Sequence, residues 1–182
     1  PGTSTVVHFL ELDRPADRAA LDRAVLFPGG VIASDGGEWL VNGAPVPPTT
    51  WPLPENAWSH PRSAGTFARF LRLYVRESGA IPLLEAIERV SYGPARILEA
   101  GVPQMRRKGR LQPGADADIV VFDLERIGER ATYATPARTS TGIEYVLVNG
   151  TVLVADGELD PRAMPGRAIR NAPNTAAGGD PR

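Results

Sequence analysis

The sequence predicts an α/β fold, and three features of its order carry that prediction. An apolar strand, a helix and a second apolar strand follow one another before Ser34. Segments with helical periodicity fill the middle of the chain. The last third turns to short strands and an Asn-Gly hairpin. Strand, helix and strand joined by short loops favour a βαβ unit with parallel pairing, because only a crossover returns the chain to the same edge direction.

Thr5 to Leu12 (TVVHFLEL) is β-branched and apolar, as a buried strand requires. Asp13-Arg14-Pro15 ends it, and Pro15 suits the first turn of a helix over Asp17 to Leu26 with Ala19, Ala20, Leu21 and Val25 inward. Pro28-Gly29-Gly30 stops that helix ahead of a short apolar strand, Val31 to Ala33. That strand runs into Ser34-Asp35-Gly36-Gly37. Residues 37–59 read as loop, dense in proline and carrying Trp39, Trp51 and Trp58, the only tryptophans in the chain. Large aromatics in a loop are expected to pack over something.

Thr66 to Ser78 places Phe67, Phe70, Leu71, Tyr74 and Val75 on one helical face, with Gly79 as its stop. Pro82 to Val90 forms a second helix with Leu83, Leu84, Ala86 and Ile87 inward. Ser91-Tyr92-Gly93-Pro94 is read as a break before a short third helix, Ala95 to Glu99. Asp118 to Phe122 reads as a buried strand. Tyr145–Val148 and Thr151–Val154 flank Asn149-Gly150 as a β-hairpin. The polar, Pro/Gly/Ala-rich segment 171–182 is expected to be a flexible tail.

Composition narrows the function classes. The 182 residues carry 20 Lys+Arg against 21 Asp+Glu, a net charge of −1, so bulk charge does not hold nucleic acid or an acidic membrane. The absence of cysteine removes disulfides, thiolate metal sites and a cysteine nucleophile from this chain. A hydrophobic fraction of 42% is enough for a core, and no apolar run is long enough for a membrane helix. A soluble cytoplasmic protein is the expectation. The start at Pro1, directly before a strand, suggests an internal cut in a longer protein.

Asp35 is the sharpest candidate site residue. A carboxylate between an apolar strand and two glycines sits where α/β folds place their chemistry, able to accept a proton or hold a cation. The same Asp-Gly pair also serves as a loop cap, and spacing alone leaves both roles open. His60-Pro61-Arg62 is the second candidate, since a guanidinium fork matches a carboxylate. A surface Arg beside a helix-capping His is the plainer account. His8, within an apolar strand, reads as structural, and two histidines without cysteine make no zinc site unaided. Arg106-Arg107-Lys108-Gly109-Arg110 reads as a solvated turn, because a nucleic-acid surface would interleave aromatics.

Taken in order, four segments resemble the C-terminal part of the N-acyl-D-amino-acid deacylases of the amidohydrolase superfamily. They are Val31-Ile-Ala-Ser-Asp-Gly36, His60-Pro-Arg-Ser-Ala-Gly-Thr-Phe67, Tyr74-Val-Arg-Glu77 and Gly109-Arg-Leu-Gln-Pro-Gly-Ala-Asp-Ala-Asp-Ile-Val-Val-Phe-Asp123. Ala134-Thr-Pro136 and Gly142-Ile-Glu-Tyr-Val-Leu-Val-Asn-Gly150 continue the match. The His-Pro-Arg and Gly-Thr-Phe combination narrows the superfamily to the deacylases.

The resemblance implies the last two strands of a metal-dependent TIM barrel, Thr5–Leu12 and Val31–Ala33, plus the C-terminal strands of a small β-sandwich. The corresponding division is barrel at 1–108 with an inserted loop at 37–59, sandwich strands at 109–170, and a tail at 171–182. It also implies that Asp35 moves the proton between the attacking water and the leaving amine, and lies close enough to zinc to be a ligand. Arg62, with His60 beside it, would bind the substrate carboxylate. The remaining zinc ligands would lie upstream, in a missing N-terminal portion of the barrel, so the chain alone is expected to be incomplete and inactive. The substrate class implied is a small N-acyl amino acid. Two other readings stand beside it: a dihydroorotase- or hydantoinase-like cyclic amidase, and a non-catalytic subunit completing a barrel from another chain.

Overall fold

The computed structural model describes residues 13–170, so the Thr5–Leu12 strand, His8 and the 171–182 tail lie outside the described residues. Helix α1 spans Pro15–Val25, with proline in its first turn where no N–H is needed. It has no fully buried residue; Tyr74 Oη donates to Asp22 Oδ1 at 2.7 Å and ties it to the next layer. Burial, and then that bond to a carboxylate, pushes the Tyr74 phenol up to about 12.

The segment Val31–Ala33 does not form a strand. Its Ile32 N–H bonds the Arg89 carbonyl at 2.9 Å, a helix-borne acceptor. A strand exists only by pairing, and among the described residues no strand lies beside it. The predicted parallel unit is therefore absent from residues 13–170, where both sheets are antiparallel.

The 37–59 loop contains structure that its prolines concealed. Strands β1 (Leu40–Val41) and β2 (Ala44–Pro45) pair across Asn42-Gly43, both at positive φ. Leu40 and Trp58 exchange both backbone hydrogen bonds, at 2.9 and 2.8 Å, which closes the stem of the loop. Trp51 and Trp58 are 40% and 53% exposed, so these rings are not packed away as expected.

Helix α2 (Arg62–Phe70) passes without interruption into a wider π-helical segment, Leu71–Glu77. The same happens after α3 (Leu83–Ile87). A π-helical turn over Glu88–Tyr92 leads straight into α4 (Gly93–Leu98). The expected break at Ser91–Pro94 is thus a continuous helix. Pro94 falls in the first turn of α4, and the wide turn before it absorbs the missing donor. Leu84, expected inward, is 84% exposed, whereas Ala86 is fully buried.

Strands β3 (Ile119–Phe122), β4 (Ile143–Val148), β5 (Thr151–Ala155) and β6 (Glu158–Leu159) form one antiparallel meander. Asn149-Gly150 and Asp156-Gly157 make its two tight turns, all four residues at positive φ, as hairpins of right-handed twist require. Val120 and Val121 are about half exposed (53% and 47%), so β3 is an open strand, not the buried one expected. The core unites helices and sheet: Phe70, Leu71, Tyr74, Ile81 and Ala86 meet Ile127, with Ile32, Phe122 and Ile143 packed around them. In the basic stretch at 106–110, Arg106 and Arg107 are exposed, as a solvated turn requires, but ion pairs tie most of it down. Lys108 pairs with Asp116 and Asp118, Arg107 with Asp116, and Arg110 with Glu99.

Candidate active site

The loop after Ala33 and the start of α2 meet to form the site. Two glycines follow Asp35, and a Cβ at Gly36 would lie 3.3 Å from Ser34 Oγ and from Ser63, so the loop packs closely on the helix. Gly36 N–H donates to Ser34 Oγ and Gly37 N–H to Ser63 Oγ, each at 3.2 Å. Ser59, 2% exposed, shares a hydrogen bond of 3.0 Å with Ser63 Oγ. The two sides of the 37–59 excursion are thereby clasped at its base.

Asp35 sits in the left-handed region at φ 46°, uncommon for a residue with a side chain. Arg62, the first residue of α2, holds it twice. Nε donates to the Asp35 carbonyl at 2.7 Å, and Nη2 lies 2.8 Å from Oδ2. The carboxylate is 85% exposed and the guanidinium 44%, so both remain reachable. The structure thus joins the two residues that the sequence singles out separately, 27 positions apart.

His60 caps α2, its Nδ1 accepting the Arg62 N–H at 3.1 Å. Its Nε2 lies 3.0 Å from the Tyr133 hydroxyl, and the two rings meet edge to face with centroids 5.1 Å apart. Since Nδ1 accepts a backbone N–H, the ring proton belongs on Nε2, which donates to Tyr133 Oη. Tyr133 is the residue that sequence reasoning missed. Its only signal is its place directly before Ala134-Thr-Pro136 in a matched motif. It reaches the site from a loop whose turn is fixed by Thr132 Oγ1 accepting the Thr135 N–H at 3.1 Å.

A metal is a different matter. Among the described residues no three His, Cys, Asp or Glu side chains converge. Asp35 offers one carboxylate, already paired through Oδ2. Zinc needs three or four ligands, so residues 13–170 do not by themselves fit the ion. What the arrangement does offer is an accessible carboxylate beside a fixed guanidinium, which suits proton transfer next to an anionic substrate group.

Three relatives bear on this geometry. An N-acyl-D-glutamate deacylase of Alcaligenes xylosoxydans xylosoxydans is 40% identical over 106 residues, covering 58% of this chain and 20% of its own length. An N-acyl-D-aspartate deacylase of the same organism is 32% identical over 153 residues, 84% of this chain and 26% of its own. Among solved structures, an N-acyl-D-glutamate deacylase from Bordetella bronchiseptica, complexed with zinc and a phosphonate mimic of the tetrahedral intermediate, superposes with a TM-score of 0.55. It is 37% identical, and the match covers 77% of this chain and 25% of that one. The chain therefore spans between a fifth and about a quarter of the length of these proteins. A family model described as the amidohydrolase family matches residues 10–154. The chain belongs to the amidohydrolase family.

Proposed function

We propose that this chain is the C-terminal portion of a zinc-dependent deacylase that hydrolyses the amide bond of N-acyl-D-amino acids. The observation that carries the reading is the Arg62 fork on Asp35, which sets an anion-binding group against an accessible carboxylate. In this reading residues 1–108 complete a barrel around the inserted loop, and 109–170 contribute sandwich strands. The deacylase names of the three relatives support it.

Asp35 accepts the proton of the attacking water and returns it to the amine nitrogen as the C–N bond breaks. One water is consumed, and the products are a carboxylic acid and a free D-amino acid. Arg62 receives the substrate's α-carboxylate, and His60 and Tyr133 hold the start of α2 in place beside it. Zinc ligands besides Asp35 would come from residues outside the described segment.

The test is an assay of the full-length protein against N-acetyl-D- and N-acetyl-L-amino acids, dihydroorotate and hydantoins. Hydrolysis of the D-series alone is expected. Arg62→Ala is expected to raise KM for the acyl amino acids roughly 10- to 100-fold, the loss of a charge-assisted carboxylate contact. Turnover of the cyclic amides without the D-series would overturn the reading.

A further inference from the structure

We propose that Arg62 is a positioning residue for Asp35 as well as a substrate clamp, with one edge of its guanidinium holding Asp35 while the other takes the substrate carboxylate. Only the substrate half of this inference rests on the deacylase reading. The Asp35 half rests on geometry.

A guanidinium carries five N–H groups in one plane. The Nε–H and the nearer Nη2–H point the same way and form its side edge. Asp35 approaches from that side, its carbonyl accepting from Nε at 2.7 Å and its Oδ2 forming an ion pair with Nη2 at 2.8 Å. The outer Nη2–H and the adjacent Nη1–H form a second, end-on edge of the kind that binds a carboxylate through two parallel bonds. Among the described residues nothing pairs with Nη1 of Arg62. One planar group can therefore hold the base and an anionic substrate group together, on neighbouring edges. A lysine ammonium, a point charge without a fork, cannot.

The fork itself hangs from a fixed support. The Arg62 N–H is bonded to His60 Nδ1 at 3.1 Å, and its carbonyl accepts from Thr66 Oγ1 at 2.8 Å. The anchor acts on a loop in which Asp35 stands in the left-handed region at φ 46°, a conformation that Asp and Asn adopt more readily than other residues with a side chain. Without Arg62, the loop's bond to α2 is the 3.2 Å contact from Gly37 N–H to Ser63 Oγ.

Hydrogen exchange on the full-length protein tests the Asp35 half without any need for turnover. In Arg62→Ala and Arg62→Lys, the Gly36 and Gly37 amides are expected to exchange roughly threefold faster, the scale of an exposed ion pair, with an unchanged melting temperature. Unchanged exchange at both glycines overturns the proposal. The substrate half is tested by comparing N-acetyl-D-leucine with N-acetyl-3-methylbutylamine, the same amide without its α-carboxylate. A positioning role predicts that Arg62→Ala lowers kcat about tenfold on the carboxylate-free amide too, and that Arg62→Lys does not rescue it. A variant that loses only KM on N-acetyl-D-leucine, and keeps wild-type rates on the other amide, shows a clamp alone and overturns it. If the wild type hydrolyses neither amide, the deacylase reading fails together with the substrate half, and exchange alone decides whether Arg62 positions Asp35.

Discussion

Glu129 is the most heavily engaged carboxylate in the described chain. Arg69 Nη1 and Arg72 Nε each reach it at 2.8 Å, and Arg72 also holds Glu77 at 2.7 Å. Its side chain is only 13% exposed. Burial would raise its carboxyl, but the Arg72 hydrogen bonds and charges outweigh burial and hold it below the usual carboxylate range. A depressed folded value means that the stabilisation is complete above the unfolded value of 4.5 and is lost as pH falls through the lower folded one. Arg72→Ala is expected to destabilise the protein by about 2 kcal/mol near pH 7. It should also flatten the fall in stability below pH 4.5, as read by urea melts across pH. At this scale Asp35, His60 and Arg62 stand out in the sequence as candidates, since each lies in a short local pattern, and the structure brings them together. Tyr133 was not. It lies 73 positions from His60, and nothing in a linear pattern reports a contact made by two folded loops.

The elements divide along a similar line. The Asn149-Gly150 hairpin was legible because its turn chemistry is local: both residues must adopt positive φ, and few residue pairs do so readily. Val31–Ala33 was misread because strand identity depends on a neighbour, and its backbone partner here is the Arg89 carbonyl. Helix continuity through Pro94 was hidden for another reason. Proline marks a break only if the preceding turn cannot widen, and here it does. Arg89 joins these elements. It is 7% exposed, pairs with Glu85, and donates to the carbonyls of Val25, Leu26 and Phe27 at the end of α1. Arg89→Met keeps the bulk but removes the donor to the Val25 and Leu26 carbonyls, while that of Phe27 still accepts the Gly30 N–H at 3.0 Å, and a loss of about 2 kcal/mol is expected in chemical denaturation. Gly142, at φ 74°, offers a sharper case, because a Cβ there would lie 2.5 Å from the Ile127 nitrogen. Ile127 is core, so neither partner can give way. Gly142→Ala is expected to cost at least about 2 kcal/mol, read as a lower melting temperature.

Across the whole molecule, charge and architecture agree. The net charge is −1, and within the 106–110 cluster Arg107, Lys108 and Arg110 are each paired with a carboxylate. No helix among the described residues is long and apolar enough to cross a membrane. With no convergent ligand set in residues 13–170, the isolated 182-residue chain is expected to retain zinc substoichiometrically after gel filtration, as measured by elemental analysis. One tightly held zinc per chain would show that ligands outside the described residues complete a site within it.

The role proposed for Asp35, moving the proton in amide hydrolysis, is read from kcat for the Asp35→Asn variant of the full-length protein. Asparagine is close in shape and tolerates positive φ, so the loop should keep its course. A loss of roughly 1,000-fold in kcat on an N-acyl-D-amino acid, with KM and melting temperature close to wild type, is the predicted result. A kcat within tenfold of wild type would contradict the account.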